Sequence, residues 1–252
     1  MSSIVRRLMA LAVGLIMIKS VCADEVHVAV AANFTAAMKE AVVDFEQKSN
    51  HKVIVSFGSS GKIYSQIKNG APYQVFLSAD QTKPELLENE GLTVAGSRFT
   101  YAIGALALWS AKENFIDDQF TVLKSGTFNK LALANPKLAP YGAAALEVLE
   151  ALNLTQQTNP KLVKGDNIAQ TYQFVATGNA DLGFVALSQI MNKGQLISGS
   201  SWIVPTDLYS PIRQDAVLLE NAQNNQAALD LLTYLKSDAA REIIHSYGYK
   251  TQ

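Results

Sequence analysis

Short apolar runs alternate with amphipathic stretches along the chain. Val26 to Val30 predicts a strand, and from Ala36 to Gln47 the residues Ala37, Met38, Ala41, Val42 and Phe45 share one face at helical spacing, giving a strand, a turn and a helix within about 25 residues. The next stretch repeats that grammar. Lys52 to Phe57 is β-branched and alternating, Gly58-Ser59-Ser60-Gly61 is a turn, and Ile63 to Lys68 reads as a helix that stops at Asn69-Gly70. Val75 to Leu77 predicts a short buried strand, Pro84 to Glu90 a helix closed by Gly91, and Tyr101 to Trp109 one long apolar strand.

A second series follows a polar loop around Glu113 to Gln119. It predicts strands at Lys130 to Ala134, Lys161 to Lys164 and Leu182 to Leu187, with helices at Gly142 to Leu152 and Ala169 to Thr177. The last part holds an extended stretch at Ile212 to Leu219 and helices at Gln226 to Lys236 and Asp238 to Tyr247. Alternating β and α elements imply a parallel sheet with helices on both faces. No run of Ser, Gly or Pro behaves as a flexible linker, so two α/β lobes joined by crossing strands fit better than separate beads. The first lobe is expected from residues 24–103 together with 212–252, the second from 104–211.

Composition adds what the protein is not. With 48% hydrophobic residues, and 21 Lys plus Arg against 22 Asp plus Glu, the 252-residue chain is neither disordered nor a basic nucleic-acid binder. The charge is unevenly placed. Residues 1–23 hold Arg6, Arg7 and Lys19 and no acid; without them 18 basic residues face 22 acidic ones, a net of −4. Arg6 and Arg7 precede an apolar run from Leu8 to Ile18, and Val21-Cys22-Ala23 offers a cleavage site, so residues 1–23 read as an export signal. A membrane anchor is the alternative, but eleven apolar residues rise only about 16 Å as a helix, about half of a hydrocarbon core. A lipid anchor on Cys22 would place Val21 where lipoproteins carry a small residue. Cleavage after Ala23 leaves 229 residues without cysteine, held by their core alone.

Three turns carry the informative chemistry: Ala31-Ala32-Asn33-Phe34-Thr35, Gly58-Ser59-Ser60-Gly61 and Pro140-Tyr141-Gly142. Each follows a predicted strand and opens a helix, where α/β sheets place their ligand crevice and where unpaired N–H groups suit an anion. Ser60 would add a hydroxyl, Asn33 an amide and Tyr141 a phenol, all neutral donors. Helix capping by Asn33 and Ser59 is the plainer role for those two residues.

Beyond these turns the chain holds Ile67-Lys68-Asn69-Gly70-Ala71-Pro72, Phe76-Leu77-Ser78-Ala79-Asp80, Asn135-Pro136, Ala139-Pro140-Tyr141-Gly142, Asp181-Leu182-Gly183-Phe184-Val185 and Tyr247-Gly248-Tyr249. In these pieces it resembles the periplasmic molybdate-binding proteins, solute receptors of ATP-driven molybdate importers, from Val26 to Tyr249. The resemblance implies a two-lobed periplasmic-binding-protein fold (type II) with the oxyanion in the cleft. It further implies donors at Ala32 (backbone N–H), Asn33, Ser60, Tyr141 and a backbone N–H near Ile168. The enteric pattern has Ser at the place of Asn33, Ala at Tyr141 and Tyr at Ala186; the Asn and Tyr of this sequence resemble the Azotobacter-like branch instead. The partners implied are molybdate or tungstate and a membrane permease docking on the outer rims of both lobes, with a monomeric receptor and no separate cofactor.

A ring of N–H and O–H donors satisfies a fully deprotonated oxyanion and turns a protonated one away, donor against donor. Size then selects: molybdate and tungstate are expected to bind, sulfate poorly. Lys62, one turn into its helix, is expected to face solvent. Receptors for other oxyanions such as sulfate or phosphate, or for a carboxylate, are the near rivals, but no Asp or Arg lies in the three turns. Asp166 is expected to cap the helix after it, Asp80 to act as a hinge or cap residue, and Arg98 as a surface or interlobe ion-pair partner.

An enzyme reading rests on Ser59-Ser60-Gly61-Lys62 as Ser-x-x-Lys and on Lys124-Ser125-Gly126, which resemble motifs of penicillin-interacting serine enzymes; the middle motif of that set is missing. His27, His51 and His245 are expected in surface or capping roles. Asp117-Asp118 is expected to be a loop feature, and no His pair stands at metal-ligand spacing.

Overall fold

The structure is a computed structural model that describes residues 24–251. The export-signal reading of residues 1–23, with Cys22, lies outside the described residues. The strands are β1 Glu25–Ala31, β2 Lys52–Gly58, β3 Val75–Leu77, β4 Phe99–Gly104, β5 Leu106–Ser110, β6 Leu131–Ala134, β7 Leu162–Gly165, β8 Leu182–Ala186, β9 Met191–Asn192, β10 Gln195–Leu196, β11 Ser200–Ile203 and β12 Ile212–Leu218. The α-helices are α1 Thr35–Ser49, α2 Ser60–Lys68, α3 Thr82–Asn89, α4 Thr121–Ser125, α5 Pro140–Ala151, α6 Thr155–Thr158, α7 Ile168–Ala176, α8 Gln226–Tyr234 and α9 Asp238–Ser246.

The strands form two five-stranded sheets, ordered β2-β1-β3-β12-β4 and β11-β5-β8-β6-β7, and β9 with β10 makes a small hairpin. Each large sheet has its own lobe. Side chains alternate between two apolar layers, as a period of two demands. Val26, Val28 and Val30 of β1, with Val75 and Leu77 of β3, join Phe34, Met38 and Phe45, Leu231 and Ile244 on one face. Ala29, Phe76 and Val217 point the other way, toward Ile63, Ile67 and Leu87 of α2 and α3. The second sheet behaves alike: Leu106, Leu108 and Phe184 meet Ala145, Val148 and Leu149 of α5, while Ala107, Trp109 and Val185 meet Val175 of α7. The helices thus cover both faces, as expected.

The sheets are mainly parallel, as expected, and in each one strand runs the other way: β12 is antiparallel to β3 and β4, and β5 is antiparallel to β8 and β11. Three expectations differ from the structure. The single strand expected from Tyr101 to Trp109 is two strands in different sheets, broken at Ala105. Both halves are buried, so hydropathy shows no seam. Helix α5 begins at Pro140, two residues before the expected Gly142, since proline suits a first helical turn. Finally β9, β10 and β11, two to four residues long, hold too few positions for a periodic signal. Among the described residues no helix is long and apolar enough to cross a membrane.

Candidate functional site

The three turns and the start of α7 converge on one small cavity between the lobes. It is lined by Ala31, Ala32 and Asn33, by Gly58, Ser59 and Ser60, by Ala79, by Ala139, Pro140 and Tyr141, and by Asn167 and Ile168. All five sequence-predicted residues, Ala32, Asn33, Ser60, Tyr141 and Ile168, meet there. No charged side chain is among them. The enclosed space is only ≈ 10 Å³, far below the 300 to 1,000 Å³ of typical organic-ligand pockets. A larger open hollow adjoins it, sharing Ala79 and Pro140; it carries Asp80, Lys83, Glu147 and Arg213 rather than convergent neutral donors, so the small cavity is the better-built site.

Local structure explains each placement. Ala32–Phe34 is a single 3₁₀ turn between β1 and α1, Ser60 opens α2, Tyr141 is second in α5 and Ile168 opens α7. N–H groups in the first turn of a helix have no acceptor within it, and the helix dipole adds partial positive charge. Gly142 sits so close to the Ala134 carbonyl that any side chain would collide, which brings α5 tight against β6.

The hydroxyls are oriented by their own partners. Ser60 Oγ, 1% exposed, accepts from the Ala79 N–H at 2.9 Å, which leaves its proton to donate. Tyr141, equally buried, accepts from Gln214 Nε2 at 3.3 Å and keeps its proton likewise. Burial pushes the Tyr141 phenol well above its usual pKa, so it stays a donor.

Asn33 departs from expectation. Its Nδ2 donates to Gln214 Oε1 at 2.7 Å and to the Tyr249 hydroxyl at 2.9 Å, so both amide protons are engaged within the protein. The donors that Asn33 offers the cavity are therefore those of its backbone. Neither Asn33 nor Ser59 acts as a side-chain cap: the N-caps of the 3₁₀ turn and α1 are Ala31 and Phe34, and Ser59 precedes α2 without a capping bond. Ser59 Oγ is buried with no partner among the described residues, an unsatisfied hydroxyl on the cavity wall.

Other residues are sorted by the structure as follows. Asn167, not Asp166, caps α7 by accepting from the Gln170 N–H at 3.0 Å. Asp166 is exposed and lies 3.7 Å from Lys62, itself 60% exposed, as expected for a solvated lysine. Asp80 accepts from the N–H of Lys83 in α3. Arg98 joins Glu88 and Asp215 within the first lobe, at 2.8 and 3.1 Å, not between lobes. His51 is buried rather than exposed, between the Asp24 N–H and Asp230. His27 is half exposed beside Glu25, and exposed His245 meets Thr251. Asp117 accepts from the Thr121 N–H, a loop-to-helix junction. Lys124 lies over the Phe120 ring, and neither it nor Lys62 lines the cavity. Gln214 and Tyr249 hold the site residues, a role that nothing along the chain signals: their contacts exist only once the fold brings them 181 and 216 residues back to Asn33.

Comparison with known proteins places the chain in a family. Residues 26–250 match the family model of the bacterial extracellular solute-binding proteins. Over 250 residues, 99% of each chain, the sequence is 59% identical to the molybdate-binding protein ModA of Azotobacter vinelandii. It is 50% identical to ModA of Rhodobacter capsulatus, covering 97% of this chain and 94% of that one. The structure of the Azotobacter vinelandii periplasmic molybdate-binding protein superposes with a TM-score of 0.87 at 40% identity, over 90% of this chain and 99% of that one. A sulfate-binding protein from Mycobacterium tuberculosis, at 12% identity and TM-score 0.70, shares the fold alone. The chain belongs to the bacterial extracellular solute-binding proteins and, within them, to the ModA family.

Proposed function

We propose that the protein is a periplasmic receptor that binds molybdate between its lobes without chemistry and hands it to the permease of an ABC importer. One observation carries the reading: the hydroxyls of Ser60 and Tyr141, two residues of the cavity wall, each accept from a scaffold N–H and keep a proton to give, and no charged group stands on that wall. Backbone N–H groups of Ala32, Asn33, Ser60 and Ile168 at helix starts complete the donor set. A tetrahedral dianion fits such a shell, a protonated ligand does not. Tungstate, of nearly the same size, binds as well, and sulfate binds poorly. The likeness to the molybdate-binding protein of Azotobacter vinelandii, in sequence and in superposition, supports the same ligand.

The lobes divide at about residues 103 and 211, since the first sheet draws strands from 25–104 and 212–218 and the second from 106–203. Closure about β4 and β12 removes water and strengthens each bond. The receptor works as an exported monomer after loss of residues 1–23, and it is not an enzyme. A thermal-shift panel of molybdate, tungstate, sulfate, phosphate and chromate tests the reading. Molybdate at 100 times its Kd adds about 2.7 kcal/mol of stability; a shift with sulfate and none with molybdate or tungstate overturns it.

A further inference from the structure

Gln214 is wholly buried on β12, the strand that returns the chain to the first sheet, and its amide touches three side chains at once, two of them of the site. Its Oε1 accepts from Asn33 Nδ2 at 2.7 Å and from the Tyr101 hydroxyl at 3.1 Å, and its Nε2 donates to the Tyr141 hydroxyl at 3.3 Å. The register of β12 against β4 shifts between Gln214 and Asp215. Such an irregularity re-aims side chains, and here two consecutive ones are buried: Gln214 faces the site while Asp215 faces Arg98, Thr100 and Gln81.

The other crossing strand makes a matching contact. Gly104 ends β4 opposite Ile212, and a Cβ there would overlap the Tyr141 hydroxyl and stand 2.7 Å from Gln214 Nε2. Tyr141 thus belongs to α5 of the second lobe, yet its oxygen is held by the two strands that join the lobes.

The direction of the hydrogen bonds follows along the chain of partners. Tyr249 gives its proton to the Asn33 carbonyl or to Ser188 Oγ, each at 2.9 Å, and accepts from Asn33 Nδ2. In the arrangement of the structure Asn33 presents N–H to Gln214, which receives it with Oε1. That leaves Nε2 for Tyr141. A reversed Gln214 amide would set donor against donor at Asn33 and take the Tyr141 proton away from the cavity.

We propose that Gln214 is a positioning residue of the oxyanion site, acting through Tyr141: it fixes the phenol oxygen as an acceptor on the hinge side and commits its proton to the anion. Gly104 keeps the space this requires. Strand β12 in this way links the hinge to the ligand. The inference rests on the molybdate reading above.

Calorimetric titration with sodium molybdate tests it on wild type, Tyr141→Phe, Gly104→Ala, Tyr141→Phe/Gly104→Ala and Gln214→Glu. Tyr141→Phe and Gly104→Ala each weaken binding by about 10- to 100-fold, the range of one hydrogen bond to a charged group. The double variant binds no worse than Tyr141→Phe within about threefold, because no oxygen remains to be displaced. In Gln214→Glu the carboxylate takes the Tyr141 proton and faces the dianion. Its affinity falls below that of Tyr141→Phe at pH 8 and recovers as the pH is lowered toward 6, while Tyr141→Phe stays flat. Additive losses in the double variant, or wild-type affinity in Gln214→Glu at pH 8, overturn the proposal. A wild type that ignores molybdate overturns the site reading itself and this inference with it.

Discussion

Gly61, in the first turn of α2, donates its backbone N–H to the carbonyl of Leu138 at 2.9 Å, a bond from one lobe to the other beside the candidate site. The approach is close on that side: a Cβ at Gly61 would stand 3.1 Å from Leu138 Cα and 3.2 Å from its oxygen. The φ of Gly61 is not positive, so only the neighbouring lobe requires glycine here.

Gly61→Ala should therefore move two quantities in opposite directions. The ligand-free protein gains about 0.5 to 1 kcal/mol, because alanine favours the helix over glycine. Molybdate binding loses about 1 kcal/mol, because the closed lobes must part by a few tenths of an ångström to admit the methyl group. Urea unfolding of the free protein and calorimetric titration separate the two. Unchanged affinity would show that the interlobe contact is not part of the bound state.

Ser60 and Lys62 lie two residues apart and should behave oppositely. Ser60→Ala removes a donor to the anion and leaves the buried Ala79 N–H without an acceptor, a loss of about 1 to 3 kcal/mol in binding. Lys62→Ala removes an exposed ammonium 3.7 Å from an exposed carboxylate, worth about 0 to 1 kcal/mol at most. The reverse order in a titration of both variants would sink the neutral-donor site.

Ser59 offers a control on the same loop. Its hydroxyl is buried without a partner, and an unsatisfied buried hydroxyl costs about 1 to 3 kcal/mol. Ser59→Ala should thus leave the ligand-free protein as stable as wild type or more stable. A melt that falls by several degrees would mean that the hydroxyl has a partner in the free protein.

How much of this was legible in sequence depends on range. The turns at Asn33, Ser60 and Tyr141 could be found because strand, hydroxyl or amide, and helix lie within a few residues of each other. The split of Tyr101 to Trp109 could not be found, since burial in two different sheets looks the same along the chain as burial in one. The antiparallel entry of β5 and β12 was hidden for a related reason: hydrophobic periodicity records which face is buried and carries no information on direction. The role of Asn33 was half legible. Its place at the site followed from the turn, but its amide is turned to Gln214 and Tyr249, whose contacts exist only after the C-terminal segment has returned to the first lobe.

Binding and stability should respond to pH over separate ranges. The site donors are backbone N–H groups, the Ser60 hydroxyl and the Tyr141 phenol, whose pKa burial raises well above its ordinary 10; a group raised in this way keeps its proton to higher pH than free tyrosine. Molybdate affinity is then expected to vary by less than about threefold between about pH 6 and 9, as no donor titrates there. Stability has acid-sensitive contributors elsewhere. The Glu46 carboxylate accepts from the Val53 N–H at 2.9 Å and pairs with Lys52, and the backbone bond foremost holds its pKa below the ordinary 4.5. Asp44, bonded first to Lys48 and then to Tyr234, lies below 3.8 for the same kind of reason. Depressed carboxyl pKa values stabilise fully above the unfolded values and lose that contribution as the pH falls through the folded ones. The urea midpoint of the free protein should accordingly drop below about pH 4.5 and do so less steeply in Glu46→Gln, while affinity stays level across neutrality. A bell-shaped affinity profile centred near neutral pH would place a titrating group in the site and exclude the shell of neutral donors.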